Sequence, residues 1–199
     1  MNRDTLTPIA HQLLGTHRVR GVRSGDLACA IETGKAMQLD DGEAICAEGE
    51  PSDALFVLVE GSVLVSRRDN KGRERTLTHL EAPAMFGHMG LVDGSSRSAS
   101  CFAKGDTLVV KLKVTDCRAQ MAQPDFEGAA LRRLLLASLA QQLTRTNEQI
   151  RKMVDAGSLP LDFDDPAQDK PKTMDRELTL SDVAHLAAAL EGWQVQDND

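Results

Sequence analysis

The chain has 199 residues, 41% of them hydrophobic and 27% charged, which suits one compact domain with additional chain beyond it. No apolar segment approaches the roughly 20 residues of a membrane span, and the first residues lack a signal-peptide core, so we expect a cytoplasmic protein with no membrane partner. The net charge is −7, and the tail from Asp155 onward holds 11 acidic and 3 basic residues, which argues against general affinity for DNA.

Residues 1–35 are predicted to form an N-terminal helical segment. Apolar residues recur there at the three- and four-residue spacing that is typical of amphipathic helices. Glycines between Gly21 and Gly25 interrupt this spacing, so we expect two short helices. The apolar positions are Leu6, Ile9, Leu13, Leu14, Leu27, Ala30 and Ile31.

Residues 36–123 change to a strand-like pattern and are predicted to form a β-roll. Short apolar runs, such as 55–59 and 107–112, alternate with turns that contain glycine. Regularly spaced short strands of this kind indicate an all-β sandwich or barrel. The sequence Asp69-Asn70-Lys71-Gly72 lies between two runs and predicts a hairpin turn.

Residues 124–157 return to a helical pattern, with a start at Pro124-Asp125 and a stop at Gly157. Apolar residues with three- and four-residue spacing extend over about six turns of this helix. One side must cover the β-roll, but the apolar stripe continues past it, which predicts a homodimer through helix 131–153.

The last part of the chain is predicted to contain an acidic linker and a terminal helix. Residues 158–174 hold three prolines and many aspartates, as linkers do. Residues 175–199 carry one apolar helical face and then a polar tail, and we expect this acidic segment to bind a partner protein. Because no basic recognition helix follows, DNA binding is not expected.

Two segments in the β region resemble the cyclic-nucleotide-binding domain family, which includes the catabolite activator protein of bacteria and the regulatory subunits of cyclic-AMP-dependent kinase. The first, 41–63, reads DGEAICAEGEPSDALFVLVEGSV and is similar to the family's glycine-punctuated strands. The second, 86–100, reads FGHMGLVDGSSRSAS and looks like the family's phosphate-binding cassette. The resemblance covers roughly residues 25–150. It implies a mainly β jelly-roll, or double-stranded β-helix, with N-terminal helices and a long dimerisation helix.

The cassette supplies the candidate ligand-binding residues. By resemblance, the phosphate and ribose contacts come from Gly87, Met89, Arg97, Ser98 and Ala99. The planar guanidinium of an arginine matches a phosphate, and small residues allow close approach to the backbone.

His88 stands where the family has a glutamate that binds the ribose hydroxyl. A neutral imidazole can accept that hydrogen bond, whereas a protonated one cannot. Three outcomes remain open at this position: weak nucleotide binding, a different ligand, or a site retained only as a scaffold. Thr146-Asn147 matches the pair by which catabolite-activator-like proteins read the base.

We therefore expect a non-enzymatic regulatory protein that senses cyclic AMP or cyclic GMP, or that acts as an adaptor. A transcription regulator of the catabolite-activator type is the alternative. An enzyme of the cupin type would need a set of metal ligands, and neither His79 nor His88 has companions at convincing spacing, so no metal and no catalytic residue are predicted. The four cysteines, Cys29, Cys46, Cys101 and Cys117, are interpreted as reduced thiols without zinc spacing.

Overall fold

The computed structural model describes residues 1–156. The two N-terminal helices expected from the sequence are present as α1 (Arg3–Thr16) and α2 (Ser24–Glu32). The side chain of Asn2 caps α1 by accepting a hydrogen bond from the backbone N–H of Thr5 at 3.0 Å. The predicted linker 158–174 and terminal segment 175–199 lie outside the described residues.

Six antiparallel strands form the rolled sheet: β1 (Lys35–Leu39), β2 (Ala44–Cys46), β3 (Ala54–Arg68), β4 (Glu74–Glu81), β5 (Ala84–Phe86) and β6 (Ser100–Lys113). The two long strands, β3 and β6, pair along most of their length. β6 also pairs with β1 and β2, and β3 also pairs with β4 and β5. This arrangement confirms the mainly β fold with flanking helices that the sequence predicted.

The hairpin between β3 and β4 forms at the predicted turn. One carboxylate oxygen of Asp69 accepts hydrogen bonds from the backbone N–H groups of Lys71 and Arg73, at 2.9 and 3.0 Å. The backbone N–H of Gly72 donates to the carbonyl of Asp69 at 2.8 Å, and Gly72 has a φ of 73°. The aspartate side chain and the left-handed glycine therefore close this turn.

Three helices follow the strands or connect them: α3 (Met89–Asp93), α4 (Val114–Ala122) and α5 (Phe126–Asp155). The side chain of Asp125 accepts a hydrogen bond from the N–H of Gly128 at 2.7 Å, which places the start of α5 where the sequence predicted it. The apolar pattern of the sequence did not predict β1, β5 or α4. None of the described helices is long and apolar enough to cross a membrane.

Two hydrophobic clusters divide the buried side chains. The outer cluster joins α1, α2, α4 and the first half of α5 to one face of the sheet, and it includes Leu13, Ile31, Leu131 and Leu134. The inner cluster lies inside the roll, and it includes Phe56, Phe86, Cys46 and Cys101. The outer cluster fixes the helices on the roll, whereas the inner cluster borders the cavity described next.

Candidate functional site

A cavity of about 620 Å³ opens inside the roll, between strands β2, β4, β5 and β6, the segment around α3, and α5. This volume is in the range of small-molecule sites. The cavity brings together seven of the eight residues predicted from the sequence: Gly87, His88, Met89, Arg97, Ser98, Ala99 and Thr146. The eighth, Asn147, is exposed on α5 and is not among the lining residues.

Arg97 is the charged residue most firmly held in the cavity wall. Its side chain is only 4% exposed. Nη1 donates to the carbonyl of Gly87 at 2.9 Å and Nη2 donates to the carbonyl of Ala54 at 2.6 Å. The guanidinium also lies over the ring of Phe56, 5.2 Å from its centroid. These contacts fix the orientation of the guanidinium before any ligand arrives.

The charge of Arg97 is only partly compensated by protein groups. The nearest carboxylate, Asp53, lies 3.6 Å from Nη2, but it makes a closer ion pair with Lys111 at 3.0 Å. The hydrogen bond from Lys111, and secondarily the charges of Lys111 and Arg97, hold the pKa of Asp53 below its usual value. Nε of Arg97 is buried without a hydrogen-bond partner. Because a buried cation with an unused donor is costly, this site favours an anion.

The backbone around Arg97 is held close to its neighbours. Gly87 has a φ of 72°, and a Cβ at this position would lie 2.7 Å from Nη1 of Arg97. The backbone N–H of Arg97 donates to the carbonyl of Glu50, and its carbonyl accepts from Gly49, each at 2.8 Å. Only glycine at position 87 combines this left-handed conformation with room for the guanidinium.

His88 is buried beside α5. Its Nε2 lies 3.4 Å from the hydroxyl of Ser138, and its Nδ1 has no hydrogen-bond partner. Burial lowers the pKa of His88, and the nearby His17 lowers it further, while a hydrogen bond with Gln142 acts in the opposite direction. The imidazole is therefore neutral at physiological pH, and one of its ring nitrogens has no protein partner.

The wall formed by α5 contains residues that the sequence analysis did not identify. Gln141, Gln142, Arg145 and Gln149 line the cavity beside Thr146. His17, at the end of α1, lines it as well, and its pKa is lowered first by burial and then by Arg145. Polar residues recur along the helix after Ser138, and this pattern could have indicated a polar wall. Only the packing of α5 against the roll shows which of them face the cavity.

Cys46 and Cys101 also line the cavity, on neighbouring strands. The sequence indicated reduced thiols and no pairing between these two residues. Strand alternation could have placed each on the inner face, but their pairing depends on a register shift in β2 that the sequence does not reveal.

Comparison with known proteins identifies relatives of this roll. Residues 36–123 match the model of the family described as cyclic nucleotide-binding domain. The chain is 28% identical over 136 residues to a CRP-like cAMP-activated global transcriptional regulator from Mycobacterium tuberculosis, which covers 68% of this chain and 58% of that protein. It is 35% identical over 106 residues to the cAMP-activated global transcriptional regulator CRP of Haemophilus influenzae, which covers 53% of this chain and 46% of that protein.

A solved structure shows the same architecture. The catabolite activator protein of Thermus thermophilus superimposes with a TM-score of 0.56 at 28% identity, and the match covers 70% of this chain and 62% of that one. The chain therefore spans less than two thirds of the length of these relatives.

Proposed function

Because residues 36–123 form a cyclic nucleotide-binding domain of the catabolite-activator type, we propose that this chain is a non-enzymatic regulatory protein whose cavity binds a cyclic nucleotide. Cyclic AMP is the first candidate, since the relatives are named as cAMP-activated regulators. The observation that carries the proposal is Arg97, a buried guanidinium in the cavity wall with an unused Nε donor.

The cyclic phosphate binds at Arg97. Two of the guanidinium's nitrogens are already engaged with backbone carbonyls, so the group is oriented at no further cost when the ligand enters. Ser98 and Ala99 follow it directly and line the same cavity, where they supply a hydroxyl and backbone donors. Gly87 and Met89 line the same cavity and border the sugar.

The ribose hydroxyl meets His88 rather than a carboxylate. The free Nδ1 of His88 gives this hydroxyl a neutral partner, which fits the family's ligand but with a weaker bond. A hydrogen bond to a charged group contributes about 1.5–3 kcal/mol, against about 0.5–1.5 kcal/mol for a neutral one. We therefore propose weaker nucleotide binding than a carboxylate would give, by roughly tenfold.

The base lies toward α5. Thr146 lines this side of the cavity, and Asn147 is the next residue on the helix. A purine edge that bonds with groups on α5 couples the ligand to the position of this helix. Such coupling requires that the ligand bind one position of α5 better than another.

The second half of α5 supports a homodimer. Leu136, Leu143 and Ile150 are 66%, 63% and 47% exposed, and they recur every seven residues. A repeat of exposed apolar residues every seven positions is the spacing of a coiled-coil seam. The occupant we propose for this stripe is the same helix of a second copy.

Leu143→Glu tests this interface. We expect light scattering after size exclusion to show a dimer for the unchanged protein and a monomer for the variant. Leu77→Glu is the matched control, because Leu77 on β4 is also 57% exposed but is not part of the heptad pattern. A monomeric unchanged protein would remove the dimer from the proposal.

Isothermal calorimetry tests the nucleotide proposal. We expect cyclic AMP to bind with a Kd in the micromolar range, and linear 5′-AMP to bind at least tenfold more weakly because it lacks the compact ring. Cyclic GMP and cyclic di-GMP are the competing ligands. If none of the three cyclic nucleotides produces heat at high micromolar protein, the sensing function is refuted and the adaptor role remains.

The adaptor role assigns the output to the acidic segment after Asp155, which we propose binds a partner protein. The alternative is a transcription regulator, as the relatives are named. Binding of the purified chain to duplex DNA, with an affinity that falls as salt rises, would favour that alternative.

A further inference from the structure

Cys46 and Cys101 face each other across two strands of the cavity wall. They are register partners in the antiparallel pair of β2 and β6. Opposed residues in such a pair have Cα atoms about 4.5–5.5 Å apart, and disulfides span Cα separations of about 4.4–6.8 Å. The two residues belong to the inner cluster and also line the cavity, so a small solute that enters it reaches both.

The two thiols interact with each other and lie near the positive charge of Arg97. The interaction with Cys101, followed by the charge of Arg97, lowers the pKa of Cys46 to about 7, while burial acts in the opposite direction. The interaction with Cys46 and burial raise the pKa of Cys101. The pair therefore holds one thiolate, the nucleophile, which is placed on Cys46, and one thiol that stabilises it.

The other two cysteines provide a contrast in the same chain. Cys117 is buried in the outer cluster, where burial raises its pKa to about 11. Cys29 is half-buried on α2, and its pKa is also raised by burial. Neither residue lines the cavity.

We propose that Cys46 and Cys101 are a redox modification site, at which a peroxide converts the two thiols into an intramolecular disulfide in the cavity wall. The Cys46 thiolate attacks one peroxide oxygen, the O–O bond breaks, and hydroxide leaves and takes up a proton to become water. The resulting Cys46 sulfenic acid is then attacked by the sulfur of Cys101. The S–O bond breaks, the S–S bond forms, and a second water leaves with the Cys101 proton. The two cysteines lose two electrons, and the peroxide gains them.

This modification changes nucleotide binding, a consequence that rests on the proposed function. The Cys46 thiolate and a bound phosphate are both anions near Arg97, so each disfavours the other. A bound nucleotide therefore protects Cys46 from peroxide. Conversely, the neutral disulfide removes the competing anion, and the oxidised protein binds the nucleotide more tightly.

The first measurement is peptide mapping of the full chain after peroxide treatment. The reduced protein receives one equivalent of hydrogen peroxide, remaining thiols are alkylated, and trypsin separates the four cysteines into peptides 24–35, 36–67, 98–104 and 114–118. We expect a cross-link between 36–67 and 98–104, with loss of two hydrogen atoms. Cys29→Ser combined with Cys117→Ser is the matched control, and it should form the same cross-link.

The second measurement repeats the oxidation with saturating cyclic AMP, after calorimetry has established whether it binds. We expect the cross-linking rate to fall about tenfold, and cyclic AMP to bind the oxidised protein at least about fivefold more tightly. Cross-linking that cyclic AMP does not slow would leave the modification site standing and overturn its coupling to the nucleotide. Absence of the 36–67 to 98–104 cross-link in the unchanged protein would overturn the site itself, whatever the calorimetry shows.

Discussion

Arginines occur in two very different settings in this molecule. Arg67, Arg73 and Arg75 on the β3–β4 hairpin have side chains that are 58–61% exposed, and they border an open groove of about 470 Å³. Arg97 lies in the cavity wall and is almost fully buried. A count of charges would place the anion site on the hairpin. A binding site therefore differs from a charged surface in the fixed orientation of its cation and in the exclusion of water, and not in the number of its cations.

The neighbours of these arginines explain the difference. On the hairpin, Asp69 accepts hydrogen bonds from the side chains of Arg73 and Arg75 at 3.1 and 3.2 Å, so the cations are already paired. Exposed pairs of this kind contribute little, because water and salt screen them. Arg97 is held mainly by neutral carbonyls, and its ion pair with Asp53 is longer, at 3.6 Å, so its positive charge is only partly compensated.

Arg97→Gln is expected to have the largest effect on the affinity for cyclic AMP. Removing a buried charged partner costs about 2–5 kcal/mol, so the affinity for cyclic AMP should fall at least about 30-fold. Arg75→Gln on the hairpin should leave the affinity within twofold. Calorimetry measures both, and circular dichroism verifies that each variant is folded. Equal losses in the two variants would mean that the overall positive charge attracts the nucleotide.

A conservative variant separates charge from geometry at the same position. Arg97→Lys keeps the positive charge but loses the planar fork and the Nε donor. We expect an affinity between those of the unchanged protein and Arg97→Gln.

Two glycines provide the same contrast in the backbone. Substituting them should change cyclic AMP binding less than Arg97→Gln does. Gly87 and Gly72 both have a positive φ, but a Cβ at Gly87 meets Arg97 whereas a Cβ at Gly72 meets open space. We expect Gly72→Ala to cost about 1–2 kcal/mol of unfolding free energy from backbone strain alone, without changing cyclic AMP binding. Gly87→Ala should cost about 1–3 kcal/mol and also weaken binding on the order of tenfold, because Arg97 must move. Urea unfolding and calorimetry distinguish the two variants.

The sequence was sufficient to find the centre of this site. The segment 86–100 carried Gly87 and Arg97 together through its resemblance to the cassette, and both line the cavity. The alternation of apolar residues also predicted the roll, since β3 and β6 are long and strongly patterned. The sequence signal is strong where local pattern and ligand chemistry coincide.

Other features depend on contacts between distant parts of the chain. Helix α4 has only Val114 and Cys117 as buried residues, which is too weak a pattern for a helix to be recognised. The wall made by α5 and the contact between His88 and Ser138 join residues 50 positions apart. The departure at His88 could be recognised from the sequence, but its burial follows only from the packing of α5 against the roll.

His88→Glu adds a buried carboxylate to the cavity wall that also contains Arg97. A carboxylate in this place should strengthen the ribose contact and tighten cyclic AMP binding by about tenfold. Arg145 also lines the cavity and supplies a compensating charge. His88→Gln is the control, because it offers a neutral acceptor and should not tighten binding. If His88→Glu binds cyclic AMP no better than His88→Gln, the ribose does not meet this residue.

The smallest expected effect is the change in the free energy of unfolding with pH that His88 and His17 cause. Burial lowers the pKa of His88 in the folded protein, so the unfolded chain binds more protons once the pH falls below about 6.5. The free energy of unfolding should therefore decrease as pH falls from 7.5 toward the lowered pKa, and then level off. His88→Gln should reduce this decrease, while His17 maintains part of it. His79→Gln, at an exposed position on β4, is the control, and urea unfolding at each pH gives the free energies. An unchanged slope in His88→Gln would show that position 88 is open to water, as the hairpin arginines are.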